Sequence, residues 1–313
     1  MNDLTRDNAT PFADAVTPTP AEPYWSSDSA AIYKGDILSV LPALPTGSVD
    51  AVIADPPYSS GGVSIAERKR STRTKYVSGS AGDIAHENPD FPGDQRDQRS
   101  WTFWSTLWMT EALRLTKPGG SILVFTDWRQ LPSTTDAMQA AGWTWRGVVN
   151  WVKPRGRSRP IRGGFWNQAE YAVWGVNGSI QKDYEVYLPG AIEARAPVGA
   201  NRIHQTEKPV DPLLTTLVRV APPGGLILDP FTGSGSTGVA AQMQGRRFIG
   251  IEITDHYAKV AADRLSRPTL ATAPDTAGAA SDPEQPPAEP AHDAPGTAGD
   301  PPALFVPAPR SGQ

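Results

Sequence analysis

Cysteine is absent from the 313-residue sequence, and histidine is scarce. The lack of cysteine excludes disulfides, thiolate catalysis and cysteine-ligated zinc or iron–sulfur centres. The four histidines, His86, His204, His256 and His292, are far apart in sequence, and nothing groups them as metal ligands. We therefore expect no metal site.

Long apolar runs are missing as well. The sequence has no stretch of about 20 apolar residues, so we expect no membrane span. Its N-terminus lacks a basic flank followed by an apolar run, which argues against a signal peptide. The expectation that follows is a soluble cytoplasmic protein.

Apolar residues are also few at both ends of the chain. Residues 1–28 are polar, and residues 268–313 hold 11 of the 32 prolines among many Ala, Gly, Asp and Glu. Such segments bury too little apolar surface to offset the entropy of ordering them. We predict disordered acidic tails at both ends and one folded domain over residues 29–267.

The tails hide the charge of the domain between them. The whole chain has 29 basic and 33 acidic side chains, a net charge of −4, whereas residues 1–28 carry −4 and residues 268–313 carry −5. Residues 29–267 are left with +5, a mild excess that suits a nucleic-acid partner and also many other soluble enzymes.

Short apolar runs alternate with segments of helical periodicity along residues 29–267. The runs at 51–54, 121–125, 143–152, 169–174, 226–229 and 247–252 predict strands, and the segments at 101–115, 133–141, 211–220, 237–244 and 257–265 predict helices. This alternation favours an α/β fold with a doubly wound, mainly parallel sheet of the Rossmann-like type.

A glycine-rich turn follows the predicted strand at 226–229. It contains Gly233, Gly235 and Gly238 in the pattern Gly-x-Gly-x-x-Gly, directly before a predicted helix. Glu252 lies at the end of the next strand, where a carboxylate can accept two hydrogen bonds from a ribose diol. The arrangement predicts a nucleoside-type cofactor, either NAD or S-adenosyl-L-methionine.

The tetrapeptide Asp55-Pro56-Pro57-Tyr58 sits where the strand at 51–54 ends. The Asp55 carboxylate and the Pro56 carbonyl could both accept hydrogen bonds from an exocyclic amine of a base, which localises the nitrogen lone pair toward a methyl donor. The prolines fix the backbone there, and Tyr58 could stack on a base flipped out of its helix. This chemistry has no use in hydride transfer. It favours S-adenosyl-L-methionine, as does the position of the glycine turn near the end of the ordered region.

Several stretches together resemble the DNA amino-methyltransferases in their permuted arrangement, the beta class, in which the catalytic motif precedes the cofactor motif. The matching stretches are Lys34-Gly35-Asp36-Ile37-Leu38, Leu44-Pro45, Ser48-Val49-Asp50 up to Tyr58, the run His204 to Pro209, and the run Ile227 to Gly235. The resemblance covers about residues 29–267, which it makes a methyltransferase domain.

The resemblance implies roles for individual residues. Asp36 would contact the adenine of the cofactor and Glu252 its ribose, while Asp229 would lie near the ammonium of its methionine part. The side chains or backbone expected around the methionine part are Phe231, Gly233 and Gly235, with Thr206 and Lys208 on its carboxylate. For Lys208, a surface lysine before a helix stays open as the alternative.

Two basic segments are candidates for DNA contact, one in the long loop 59–100 and one at the start of the predicted DNA-facing and target-recognition region, about 153–203. The family places target recognition between the later strands and His204, an interval that is short here, about 177–202, so recognition is expected to be short or degenerate, or shared with loop 59–100. The cations of the two basic segments would neutralise phosphates and position the duplex, although a charge run can also be a solvated loop. The side chains concerned are Arg68, Lys69, Arg70, Arg73, Lys75, Lys153, Arg155, Arg157, Arg159 and Arg162.

The family uses Asp or Asn before Pro-Pro mainly for adenine N6 and Ser mainly for cytosine N4, so Asp55 favours adenine. We therefore expect a site-specific enzyme that methylates adenine N6 in double-stranded DNA by base flipping. An N4-cytosine enzyme, an RNA or small-molecule methyltransferase, a non-catalytic DNA-binding relative and an oxidoreductase are the alternatives. A homodimer and a restriction endonuclease partner are left open.

Overall fold

The computed structural model describes residues 22–58, 96–154, 163–180, 184–197 and 207–267. The strands in these ranges are β1 (Trp25–Ser26), β2 (Ala30–Lys34), β3 (Val49–Ala54), β4 (Thr116–Thr126), β5 (Thr144–Val152), β6 (Ala169–Val176), β7 (Ala191–Glu193), β8 (Leu226–Asp229) and β9 (Arg247–Glu252). The α-helices are α1 (Ile37–Val40), α2 (Gln98–Leu115), α3 (Leu131–Ala140), α4 (Thr215–Leu217), α5 (Ser236–Met243) and α6 (Asp255–Leu265).

All described strands join one sheet in the order β1-β2-β9-β8-β3-β4-β6-β5-β7. The central strands β2, β9, β8, β3 and β4 are parallel, whereas β6 is antiparallel to both of its neighbours. The predicted α/β fold with a doubly wound, mainly parallel sheet is confirmed. The carboxyl ends of the parallel strands and the amino end of β6 consequently lie at one edge of the sheet.

Successive residues of each central strand face opposite layers of helices. In β3, Val52 packs with side chains of α1, α2 and α3, whereas Ile53 packs with those of α5 and α6. In β4, Val124 packs in the same layer as Val52, and Phe125 packs in the same layer as Ile53. Because both faces of these strands are covered, their sequences are continuous apolar runs without polar alternation.

Two helix starts are fixed by side chains that the sequence supplies. Asp97 caps α2, its carboxylate accepting hydrogen bonds from the backbone N–H groups of Arg99 and Ser100, and Thr254 caps α6. Helix α2 therefore begins at Gln98, so the last residues of the predicted loop 59–100 are helical.

Three predicted boundaries differ from the structure. Strand β1 pairs with β2, so residues 25–26 belong to the fold and the predicted tail 1–28 is too long. The predicted helix 211–220 is divided into a π-helical turn (Val210–Leu214), α4 and a 3-10 turn (Val218–Val220), because Asp211 has an extended backbone. Strand β6, which was predicted at 169–174, and strand β7, which was not predicted, both lie within the interval 153–203, so part of that predicted DNA-facing region belongs to the sheet.

Candidate active site

The predicted site residues gather at the sheet edge where the parallel strands end. Asp55 follows β3, Asp229 and Glu252 close β8 and β9, and Asp36 lies just after β2. Open α/β sheets bind their ligands outside the carboxyl ends of the strands. The antiparallel strand β6 adds Glu170 at the same edge.

Asp55 is held by one donor on each carboxylate oxygen. The hydroxyl of Tyr58 donates to Oδ1 over 2.9 Å, and Nζ of Lys208 donates to Oδ2 over 2.7 Å. Burial raises the pKa of Asp55, the charge of Glu170 raises it further, and Lys208 and Tyr58 act in the opposite direction. About a quarter of the side chain stays exposed, at 24%. The carboxylate is thus oriented and still accessible.

Lys208 is buried, which excludes the alternative of a surface lysine. Its side chain is 7% exposed, and Nζ lies 3.6 Å from Oε2 of Glu170 in addition to its contact with Asp55. Burial alone would lower the pKa of Lys208, but the two carboxylates raise it above its ordinary value. The ammonium therefore stays charged between the two acids. Its predicted role on the carboxylate of the cofactor stays a prediction.

Glu170 forms the centre of the charged cluster and was not found by sequence reasoning. Its carboxylate is paired with Lys153 as well as Lys208 and accepts a long hydrogen bond from the Tyr58 hydroxyl at 3.4 Å. Burial alone would raise the pKa of Glu170, but the two lysines lower it. The only sequence signal is a carboxylate near the start of an otherwise apolar strand.

Lys153 was predicted to contact DNA, and the structure gives it a protein partner. Its ammonium pairs with Glu170 and lies 4.7 Å from the centre of the Trp151 ring. Its side chain is only 25% exposed, so a phosphate role would require it to leave this pair. The structure thus places Lys153 in the wall of the site.

The motif is also anchored by a tryptophan that the sequence analysis did not assign to the site. The indole N–H of the fully buried Trp101, on α2, donates a hydrogen bond to the carbonyl oxygen of Pro57 over 2.8 Å. Tyr58 has a pKa raised well above its ordinary value by burial and by the charges of Asp55 and Glu170. Its hydroxyl therefore remains a hydrogen-bond donor.

The glycine turn follows β8 and leads directly into α5. Gly233 and Gly235 have φ values of 49° and 85°, the left-handed region that glycine adopts without strain. The N–H of Gly233 donates to Oε2 of Glu252 over 3.1 Å, and Thr254 donates to Oε1 through its N–H and its hydroxyl. Burial raises the pKa of Glu252 despite these donors. The predicted pairing of glycine turn and strand-end acid is therefore present.

Asp229 is a buried carboxylate at the base of this turn. Its Oδ1 accepts a hydrogen bond from the backbone N–H of Phe231 over 2.9 Å. Burial raises the pKa of Asp229 to about 7, although hydrogen bonds from Thr237 and Phe231 oppose the shift. Both donors are neutral, and a buried carboxylate with no cation beside it among the described residues suits an ammonium group of a ligand.

Asp36 and Phe231 have structural contacts besides their predicted roles. Asp36 caps α1, its carboxylate accepting from the backbone N–H of Leu38 over 2.9 Å. The Phe231 ring packs against Trp104 and Trp108, with ring centres 5.6 and 5.2 Å away. Both residues lie at the predicted edge.

Arg264 on α6 is a third residue that the sequence motifs did not predict. Its guanidinium donates to the backbone carbonyl and hydroxyl of Ser234 and pairs with Glu207 at 3.1 Å. The hydroxyl of Ser236 also donates to Glu207. These contacts tie the glycine turn to the residue that precedes Lys208, so the two halves of the site are joined.

Several predicted site residues lie outside the described ranges. They are Arg68, Lys69, Arg70, Arg73, Lys75, Arg155, Arg157, Arg159, Arg162 and Thr206. Among the residues that are described, no group of three or more His, Cys, Asp or Glu side chains could hold a metal ion. None of the helices in those ranges is long and apolar enough to cross a membrane.

A doubly wound sheet with a glycine turn, a strand-end acid and a charged pocket at one edge defines an α/β enzyme of the nucleoside-cofactor type. The sequence model described as DNA methylase matches residues 49–195 and 190–263. The chain belongs to this DNA methylase family, as the sequence motifs predict.

Curated relatives and solved structures agree with that family. The chain is 28% identical to the putative methylase YubD of Escherichia coli over 74% of its length and 88% of the relative's. It is 26% identical to type II methyltransferase M2.DpnII of Streptococcus pneumoniae, covering 78% and 92% of the two chains.

Two solved structures share the fold. M1.HpyAVI, solved as a complex with SAM, superposes with a TM-score of 0.54 at 24% identity, over 76% of this chain and all of that one. The PvuII DNA methyltransferase, described as cytosine-N4-specific, superposes with a TM-score of 0.57 at 17% identity, over 80% and 90% of the two chains.

Proposed function

We propose that the chain transfers a methyl group from S-adenosyl-L-methionine to the exocyclic N6 of adenine in double-stranded DNA, at a specific sequence. The observation that carries the proposal is the accessible Asp55 carboxylate, fixed at the end of β3 beside the edge that holds the glycine turn. Family membership supplies the reaction class and the DNA substrate.

The cofactor is S-adenosyl-L-methionine, which supplies the methyl group when bound. The side chains present fit it. Glu252 closes β9 next to the glycine turn, where it suits a ribose diol. The buried Asp229 has no cationic partner among the described residues, which suits the methionine ammonium. Phe231 and the backbone of Gly233 and Gly235 would line the methionine part.

The residues around Asp55 can prepare an amine for methylation. The Asp55 carboxylate and the Pro56 carbonyl accept hydrogen bonds from the two N–H groups, so the nitrogen lone pair is localised. The nitrogen would then form a bond to the methyl carbon while the bond from that carbon to the sulfonium sulfur breaks. The electron pair of the broken bond would stay on sulfur in the thioether product, and one N–H proton would be released to solvent. Tyr58 is half-buried beside Asp55, where its ring can stack on a base that has left the duplex.

Adenine is favoured because the motif begins with Asp, and cytosine N4 is the second candidate. The structural likeness to a cytosine-N4-specific enzyme supports that alternative, since a carboxylate can accept a hydrogen bond from either amine. Both reactions use the same donor and the same carboxylate. The basic segments around residues 68–75 and 153–162 would position the duplex through its phosphates.

The test is to incubate the purified protein with labelled S-adenosyl-L-methionine and unmodified DNA, then to hydrolyse the DNA and identify the labelled nucleoside by mass. We expect N6-methyladenine. Label on N4 of cytosine would select the second candidate, whereas label on RNA alone or no label on DNA at any salt concentration would contradict the proposal. Sequencing of the product would give the target site.

The relatives named as type II methyltransferases suggest a place in a restriction–modification system. The same methylated DNA can be challenged with restriction endonucleases that read the identified site. Protection of the DNA from cleavage would support that role.

The oligomeric state is a separate question. Sedimentation of the protein with and without DNA would establish whether it acts as a homodimer.

A further inference from the structure

Four side chains of alternating charge form a continuous cluster beside the glycine turn. Asp55, Lys208, Glu170 and Lys153 follow one another, with Nζ of Lys208 at 2.7 Å from Asp55 and 3.6 Å from Glu170. They come from the end of β3, the residues before the π-helical turn, the start of β6 and the end of β5. The cluster carries no net charge when all four groups are ionised.

The surroundings of Lys208 are apolar. Its ammonium lies between the rings of Phe125, Tyr58 and Trp151, at 5.1, 5.3 and 5.9 Å from their centres. A buried ammonium costs several kcal/mol unless carboxylates face it at close range. Two carboxylates do so here, and they therefore fix the place of the lysine in the site.

We propose that Lys208 is a positioning residue that holds Asp55 as an oriented carboxylate through Oδ2, and that Glu170 holds Lys208 in that place. The proposal rests on the proposed methyl transfer at Asp55. It replaces the role on the cofactor carboxylate that the motif resemblance implied for Lys208. Lys208 occupies one oxygen of Asp55, and the other oxygen is the one that serves the base.

The second oxygen of Asp55 is presently bound by Tyr58, which has another acceptor within reach. The Tyr58 hydroxyl lies 2.9 Å from Oδ1 of Asp55 and 3.4 Å from Oε2 of Glu170. When a base enters, the hydroxyl can turn to Glu170 and release Oδ1 for the amine. Glu170 thus pairs with Lys208 before the base binds and accepts a hydrogen bond from Tyr58 once the base is bound.

The charges around Asp55 set its pKa, so the pH dependence of methyl transfer reports on this arrangement. The titratable groups that face or influence Asp55 are Lys208, Tyr58, Glu170 and, more weakly, Asp229. Lys208 lowers the pKa of Asp55, and Glu170 raises it. Removal of the lysine charge should therefore raise the pKa of Asp55, whereas removal of the glutamate charge should lower it.

The experiment compares Lys208→Met, Lys208→Arg and Glu170→Gln with the wild type, measuring kcat and kcat/KM on DNA across pH. We expect Lys208→Met to lower kcat by about 10², because Asp55 loses its orientation. The acid limb of the pH profile should move to higher pH, because the charge of Lys208 lowers the pKa of Asp55. Lys208→Arg should return the acid limb part of the way to its wild-type position. Glu170→Gln should move it to lower pH, because the amide oxygen can still accept from Lys208 while the negative charge near Asp55 is lost.

Cofactor affinity separates the proposed role from the one that the resemblance implied. By calorimetry, Lys208→Met should bind S-adenosyl-L-methionine within about threefold of the wild type, since less than 1 kcal/mol is involved. A tenfold or greater loss of cofactor affinity with an unchanged pH profile would overturn the proposal, because Lys208 would then act on the cofactor.

A wild type that transfers no methyl group to DNA would contradict only the proposed function. The role of Lys208 can then still be tested by measuring stability. Without Lys208, Asp55 is a partly buried anion that has lost its cation, so its pKa rises further. Lys208→Met should therefore lose stability relative to the wild type as pH rises through that pKa. Adding Asp55→Asn to Lys208→Met should restore part of the lost Tm. If the two substitutions are additive in Tm at neutral pH, Lys208 does not hold Asp55.

Discussion

The indole N–H of Trp101, in the first turn of α2, donates a hydrogen bond to the carbonyl oxygen of Pro57, and this bond connects α2 to the catalytic motif. Trp101→Phe keeps the apolar ring and leaves that carbonyl without its donor. We expect a loss of about 1 kcal/mol of stability and a fall in kcat, because Asp55 and Tyr58 flank the loosened backbone. Thermal unfolding and steady-state kinetics measure the two effects. A variant with wild-type kcat would show that the prolines alone fix the motif.

Asp55→Ala should abolish methyl transfer while S-adenosyl-L-methionine still binds. The carboxylate contacts Tyr58 and Lys208, whereas most of the predicted cofactor residues lie on β8, β9 and the turn between β8 and α5. Asp136→Ala on the exposed face of α3 is a matched control, and it should retain full activity. Equal loss of transfer and of cofactor binding in Asp55→Ala would count against the catalytic assignment.

The raised pKa of Asp229 predicts a pH-dependent cofactor affinity. Its pKa is about 7 because of burial, and the proposed ammonium contact requires the ionised form. Below that pH a proton must leave before binding, so affinity should fall by about tenfold for each pH unit and level off above it. Calorimetric titration over this range tests the slope. The Asp229→Asn variant should bind weakly with no such slope, and a sloping profile in that variant would assign the titration elsewhere.

Gly250→Ala should destabilise the sheet beneath the glycine turn. A Cβ atom at Gly250 would lie 2.5 Å from Oγ1 of Thr232 and 2.8 Å from the Phe248 ring, both of which are buried. Overpacking of this kind costs about 1–3 kcal/mol. Gly190→Ala is the control, since nothing lies within 4 Å of its Cβ position. Chemical denaturation measures the free energy of unfolding of both variants. Equal values would mean that the glycine turn rearranges around the added methyl group without loss of stability.

Replacing Arg155, Arg157 and Arg159 with glutamine should weaken DNA binding and make it less sensitive to salt. Each lost phosphate contact should reduce the slope of log affinity against log salt by about 0.9. Lys259→Gln on α6, which removes a cation paired with Asp263, should leave the slope unchanged. Fluorescence anisotropy at several salt concentrations gives these slopes, and an unaltered slope in the arginine variant would exclude the segment from the DNA interface.

The positions of Asp55, Asp229 and Glu252 could be predicted because each directly follows or ends a short apolar run. A run of that kind identifies a buried strand, and the parallel order then brings the strand ends to one edge. The positions of these three residues can therefore be predicted without knowing any contact between distant parts of the sequence.

Glu170 and Lys208 could not be assigned in the same way. Glu170 reaches the site because β6 runs against its neighbours, which the composition of that strand does not reveal. Lys208 meets Asp55 across 153 residues of sequence, and its burial depends on three aromatic rings from other elements. Local patterns carry no information on such pairings.

The side chain of Gln242 donates to Oγ of Ser29 over 3.3 Å and to the carbonyl of Leu265 over 3.1 Å, so residues near the two ends of the described part of the chain lie side by side. A short linker from Arg267 to Glu22 could close the chain into a ring, and a cut between residues 197 and 207 would reopen it. The resulting circular permutant would place the glycine turn before Asp55 in the chain without altering the order of strands in the sheet. Motif order in this architecture is therefore a matter of where the chain is opened.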